Sequence, residues 1–142
     1  MRFFTDDVMM PLTSVLVDSG ADHATFRPDI AKSLGIDMRS GRREETLGVD
    51  GKSFVWVHDG GVVGVALRDQ RGTKAALRLE RVQFSESLPV AALLGRNSFF
   101  EMFQVTFNEK ARTIDLKLIG LAEQLVDWAD LPSAKRSRKS KK

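Results

Sequence analysis

The chain has 142 residues, enough for one domain with a real core and too few for two of ordinary size. With no cysteine it can build neither a disulfide framework, nor a thiolate zinc site, nor a cysteine nucleophile, and its two histidines, His23 and His58, are too few for a typical histidine-built metal centre. The formal net charge of +3 belongs to the chain's end: the last eight residues hold six bases and no acid, which leaves 16 bases against 19 acids in residues 1–134, a net charge near −3.

Arg2 to Phe4 reads as a short opening strand and Leu12 to Val17 as a second, running into Asp18-Ser19-Gly20. The apolar lead-in predicts that Asp18 ends a buried strand. An unpaired buried carboxylate is costly, so such a placement implies a partner or a chemical role. Ser19 supplies a hydroxyl beside it, and Gly20 allows a tight turn. The same three residues are equally the makings of an ordinary turn after a strand, so this stretch alone leaves both readings open.

From Arg27 to Gly35, a proline near the first turn, apolar residues at 30, 31 and 34 and a terminal glycine predict a short amphipathic helix lying as a lid on the core. Residues 42–58 read as a hairpin around Gly48-Val49-Asp50-Gly51, with Phe54-Val55-Trp56-Val57 in the return strand. Asp59-Gly60-Gly61 punctuates, and Val63, Val65 and Leu67 then alternate as in a half-buried strand. After a turn at Asp69 to Gly72, a strand from Lys74 to Phe84 shifts its apolar parity between Leu79 and Val82, the mark of a bulge.

Val90 to Leu94 is a continuous apolar run ending in Gly95-Arg96-Asn97, and Ser98 to Met102 reads as a short helix. Alternation at Phe103, Val105 and Phe107 and again at Ile114, Leu116 and Leu118 predicts a second hairpin. Apolar residues between Leu121 and Leu131 predict a C-terminal helix. Residues 1–132 thus form one domain and 133–142 a disordered basic tail with nothing to bury. Many short strands, frequent turns and little helix predict an all-β domain, closed or sandwiched. No apolar run is long enough to span a bilayer and no signal-peptide pattern opens the chain, so a soluble cytoplasmic domain is expected.

Two apolar strands therefore run into polar turns, Leu16-Val17 into Asp18-Ser19-Gly20-Ala21-Asp22 and Leu93-Leu94 into Gly95-Arg96-Asn97. In this the chain resembles the retropepsin-like aspartic proteases, in three parts in the right order: the Asp-Ser-Gly-Ala-Asp motif, a glycine-flanked flap around Gly48 to Gly51, and the Leu-Leu-Gly-Arg-Asn motif with a short helix after it. The likeness runs from about Leu12 to Leu118. It implies a closed β-barrel of the acid protease fold, with short helices after Gly95-Arg96-Asn97 and near the C-terminus. It also implies an aspartic endopeptidase with Asp18 as the catalytic carboxylate and no cofactor or metal. Ser19 would brace paired active-site loops, Gly20 and Ala21 shape the loop, and Asp22 and Arg96, beside Asn97, form a structural ion pair; otherwise those two are surface residues that never meet. Gly48, Val49, Asp50 and Gly51 would form the flap, with Trp56 lining the substrate cleft or packing beneath it. His23 reads as a groove or surface side chain rather than a catalyst, and Arg42 to Glu45 as a solvated strand.

Peptide hydrolysis of this class uses two carboxylates sharing a proton around one water, since two like charges at close range do not both ionise readily. The chain has one Asp-Ser-Gly; Asp50-Gly51 and Asp59-Gly60 lack the hydroxyl residue and the apolar lead-in. The expectation is therefore a symmetric homodimer contributing one Asp18 per chain and acting on a protein or peptide substrate. The alternative is a retropepsin-fold dimerisation or binding module with weak or no proteolysis, suggested by the charge of Asp50 in the flap and by the chain beyond Gly120. The basic tail offers weak, salt-dependent contact with polyanions, against a plainer solubilising or localising role.

Overall fold

The computed structural model describes residues 1–48, 51–119 and 125–132. Strand-forming runs of valine, leucine and phenylalanine make it a mostly β structure with a curled, half-barrel sheet. Its strands are β1 (Arg2–Phe4), β2 (Leu16–Val17), β3 (Ala24–Phe26), β4 (Arg42–Gly48), β5 (Gly51–Arg68), β6 (Lys74–Ser85) and β7 (Ala92–Leu94). They lie in the order β1-β5-β6-β3-β7-β2, with β4 also paired to β5. A separate antiparallel hairpin joins β8 (Phe103–Asn108) to β9 (Thr113–Leu118).

β5 organises the sheet. Its first half pairs with β4, its second half with β1, and most of its length with β6. Asp59-Gly60-Gly61 does not end it: the strand runs on through a bulge, where Asp59 pairs with Arg81 but Val63 pairs with Leu79. Residues 60–62 thus face Glu80 alone, and Gly60 and Gly61 take φ of 90° and 73°, which side chains resist. The parity slip read in β6 has its cause here, in the extra residues of the facing strand. Below the bulge Leu77 and Leu79 point to the core, and above it Val82 and Phe84 do.

The main core joins Phe3, Phe26, Phe84, Leu77, Leu79, Leu94 and Phe99, all buried. Phe26 stacks edge-on against Phe3, with ring centres 4.8 Å apart. Helix α1 (Pro28–Leu34) starts on its proline, ends at Gly35 in the left-handed region, and buries Ile30, Ala31 and Leu34 on this core as expected.

Three expectations need correction. The strand predicted over Leu12 to Val17 is only two residues long: Met10 and Thr13 donate their N–H groups back to Phe3 and Met1, and Pro11 between them has no donor to give. The short helix after the second motif is one wide turn, Arg96–Phe100, in which the N–H of Phe100 reaches back five residues to Gly95. In place of a helix to Leu131, Leu125 bridges to Leu77 and a single 3-10 turn spans Trp128–Asp130, capped by the Asp127 carboxylate. The first part of that expected helix, residues 121–124, lies outside the described residues, as does the 133–142 tail. No helix among the described residues is long and apolar enough to cross a membrane.

Candidate active site

β7 lies between β2 and β3, parallel to the first and antiparallel to the second. The loop that joins β2 to β3, residues 18–23, must therefore cross the C-terminal end of β7, where the second motif begins. Register sets the two motifs side by side, Leu16 against Leu93 and Val17 against Leu94. The N–H of Asp18 then donates to the Leu94 carbonyl at 2.9 Å. Within the turn, the Gly20 N–H donates to Oδ1 of Asp18 at 2.8 Å and the Ala21 N–H to its carbonyl at 3.2 Å.

The far side of the loop is fastened by the second motif. The Arg96 N–H donates to Ala21 O and the Asn97 N–H to Asp22 O, each at 2.8 Å. Gly95 makes this approach possible: a Cβ there would lie 2.6 Å from Ala21 O and 2.9 Å from His23 O, both rigid backbone atoms. Side chains repeat the connection. The Arg96 guanidinium meets the Asp22 carboxylate, and the Asn97 amide donates to Nδ1 of His23 at 3.1 Å. Residues 74 apart in sequence thus form one polar, hydrogen-bonded platform.

Asp18 itself is half-buried, and Ser19 and Gly20 are exposed. The apolar lead-in had pointed to a buried strand end. The physical reason for the difference is that β2 is the last strand of the sheet, with a single strand partner among the described residues, so Leu16 stays 48% exposed.

The β4–β5 hairpin runs to the pair Gly48 and Gly51; Val49 and Asp50, in the expected flap tip, lie outside the described residues. Trp56 is buried, with the Arg39 guanidinium 4.9 Å from its ring centre, so it packs within the hairpin's base. Between hairpin and loop lies a cleft of about 340 Å³, lined by Ala21, Asp22 and His23 on one wall and by Glu44, Arg81 and Gln83 on the other. Asp18 stands outside that lining. Arg81 reaches Glu44 at 2.8 Å, and Gln83 donates to the hydroxyl of Thr25 at 2.9 Å.

The solvated strand read at Arg42 to Glu45 is thus part of an ion network. Arg42 meets Asp59 at 2.9 Å and Glu44 at 3.5 Å, and the bond to Asp59 first, with both carboxylate charges, holds its guanidinium above its ordinary pKa. Arg81 and Gln83 were passed over in the sequence. Their signal was alternation with buried Val82 and Phe84, which turns both polar side chains to the face opposite the core. No group of three metal-ligating side chains occurs among the described residues.

One chain thus presents the Asp18 carboxylate, held by a backbone N–H and half in water beside a charged cleft. Such a group can orient a water and accept its proton, but polarising a carbonyl at the same time needs a second acid. The chain matches no family model and no curated protein.

Proposed function

We propose that the chain is one half of a retropepsin-like aspartic endopeptidase, with its curled sheet as the acid-protease barrel and two Asp18 carboxylates brought together in a homodimer. The observation that carries this reading is the interlocking of the two motifs: Asp18 bonded to Leu94, and Ala21 and Asp22 bonded to Arg96 and Asn97. A chance Asp-Ser-Gly turn has no reason to be fastened at both ends by a Leu-Gly-Arg-Asn segment so distant in sequence.

The chemistry follows from one proton shared by two acids. The ionised carboxylate takes a proton from a water between them, and the water oxygen forms a bond to the carbonyl carbon of the peptide. The protonated carboxyl gives its proton to the carbonyl oxygen, producing a neutral tetrahedral diol. Proton transfer to the amide nitrogen and return of a hydroxyl proton to a carboxylate then break the C–N bond, releasing an acid and an amine. Ser19, exposed at the loop's tip, braces the partner loop, and the flap covers the substrate. As a cytoplasmic enzyme it would act on protein or peptide chains.

The test is cleavage of a mixed peptide library, followed by mass spectrometry between about pH 4 and 7, with Asp18→Asn as the comparison. Cleavage by the wild type and none by the variant supports the proposal. A wild type that cuts nothing across that range, or a variant that cuts equally well, overturns it, and the first outcome leaves the fold as a binding module.

A further inference from the structure

We propose that a cavity beside the sheet's second, smaller core binds a small amphiphile, an aliphatic chain that ends in a carboxylate. The cavity holds about 430 Å³ and is lined by Met9, Leu12, Leu67 and Trp128, with Arg2 and Arg68 also in its wall. That volume falls in the range of about 300–1,000 Å³ in which small molecules are bound. Met9 and Trp128 pack on the second core, made of Phe4, Ala66, Ala76 and Leu131, whereas Leu12 stays 75% exposed. The site thus offers a largely apolar wall, and methionine adapts readily to a flexible chain.

Charge identifies the head group. Arg68 faces Lys74 directly across β5 and β6, and Arg2 faces Ala66, two residues before Arg68 on β5. Because side chains alternate along a strand, all three cations stand on one face. Like charges placed directly opposite repel. No ion pair among the described residues takes in any of the three. Lys74 holds its ammonium 5.4 Å from the centre of the Trp128 ring. The acid in the cavity wall, Asp69, accepts through Oδ1 from the N–H groups of Arg71 and Thr73, inside its own turn. In the cavity by Gly60 and Gly61 the cation is Arg78, and Asp6 takes it at 2.6 Å. A guanidinium meets a carboxylate through two parallel hydrogen bonds, so an anion at Arg2 and Arg68 turns the repulsion into binding. Nucleic acid fits this wall poorly, since among the described residues Trp128 is its single aromatic ring and Lys74 lies over it.

Titration calorimetry on the full chain tests it with octanoate, kept below micelle-forming concentrations. Octanoate should fill one saturable site. Octanol lacks the charge and acetate lacks the chain, and each should bind more weakly by about tenfold or more. The Arg2→Gln, Arg68→Gln double variant should weaken octanoate binding by about tenfold or more, and Leu12→Glu, which sets a carboxylate in the exposed wall, should do the same. Arg27→Gln, which removes a cation paired with Asp29 away from the cavity, should change it by less than about twofold. Arg68→Gln alone relieves the repulsion from Lys74, so without ligand its thermal midpoint should match or exceed that of the wild type, which confirms that it folds. A wild type that does not bind octanoate, or binds octanol or acetate as tightly, overturns the site. So does undiminished binding by the double variant or by Leu12→Glu. An equal loss in Arg27→Gln would make the attraction one of net charge and overturns it too. Peptide is absent throughout, so failure here leaves the proteolytic reading intact.

Discussion

Gly95→Ala is the substitution to which the site should be most sensitive. The added methyl would stand 2.6 Å from Ala21 O, 2.9 Å from Ala21 C and 2.9 Å from His23 O. All three are backbone atoms, so no side chain can swing aside. Loop and strand must instead separate by several tenths of an ångström. Overpacking of this kind costs about 1–3 kcal/mol. The same movement stretches the Arg96-to-Ala21 and Asn97-to-Asp22 hydrogen bonds, each worth about 0.5–1.5 kcal/mol net. Partial relaxation keeps the two from adding in full, and the expected loss is about 2–4 kcal/mol, a large share of a typical stability of about 5–15 kcal/mol. For a chain of this length that lowers Tm by about 6–20 °C. Urea and thermal unfolding, followed by circular dichroism, measure it. Gly72→Ala is the control: Gly72 has a φ of 88° and open space around its missing Cβ, so only backbone strain of about 1–2 kcal/mol applies. If Gly95→Ala costs no more than Gly72→Ala, the two motifs are not in the tight contact on which the site depends.

Other substitutions separate chemistry from support. Asp18→Asn keeps an oxygen for the Gly20 N–H and should leave the thermal midpoint within about 2 °C of the wild type while lowering peptide cleavage by at least about a hundredfold. Arg96→Met removes an ion pair whose partners are 61% and 64% exposed, so urea unfolding should register less than about 1 kcal/mol. The Asp69 carboxylate is held below its ordinary pKa chiefly by the Thr73 N–H, against desolvation as the next effect, with the Arg71 N–H adding to the lowering. A depressed folded-state pKa stabilises above the unfolded value and is lost as pH falls through the folded one. Asp69→Ala should therefore lower the midpoint at neutral pH, with the difference from wild type narrowing as the solution is acidified through and below the ordinary aspartate range.

Periodicity made the hairpins legible because their cross-strand pairs share one face: Phe103, Val105 and Phe107 repeat every second residue, and so do Ile114, Leu116 and Leu118. Helix α1 was equally readable, since Pro28 and Gly35 mark its ends by local conformation alone. The β3 strand was not. Ala24-Thr25-Phe26 is too short to show a period, and it is a strand because β6 and β7 flank it. The same limit explains Asp18. Its apolar lead-in gives the side chains' chemistry, but burial depends on a neighbour across the sheet, and among the described residues β2 has one on a single side. Asp59-Gly60-Gly61 carried turn residues that β5 uses to bend without stopping, which only the facing strand decides. Asp22 and Arg96 carried no local sign of each other and meet because β7 runs between the strands flanking the loop.

The openness of Asp18 bears on what a second copy must supply. In one chain the carboxylate is half in water, with the Gly20 N–H as its hydrogen-bond donor. A dyad works because two acids compete for one proton in a space that water does not fill. A partner that brought only a second carboxylate, in an equally open loop, would give two solvated aspartates and little catalysis. It must also cover the side of β2 that has no strand partner among the described residues, where Leu16 stands exposed beside the motif. Burying that leucine would favour association at roughly 25 cal/mol per Å² of apolar surface removed from water. The same contact would dry the carboxylate. Leu16→Ser should therefore weaken cleavage more than dimerisation. Equal losses of dimerisation and cleavage in Leu16→Ser, read by sedimentation and peptide cleavage, would mean that the leucine serves assembly alone and that drying of Asp18 has no part in the chemistry.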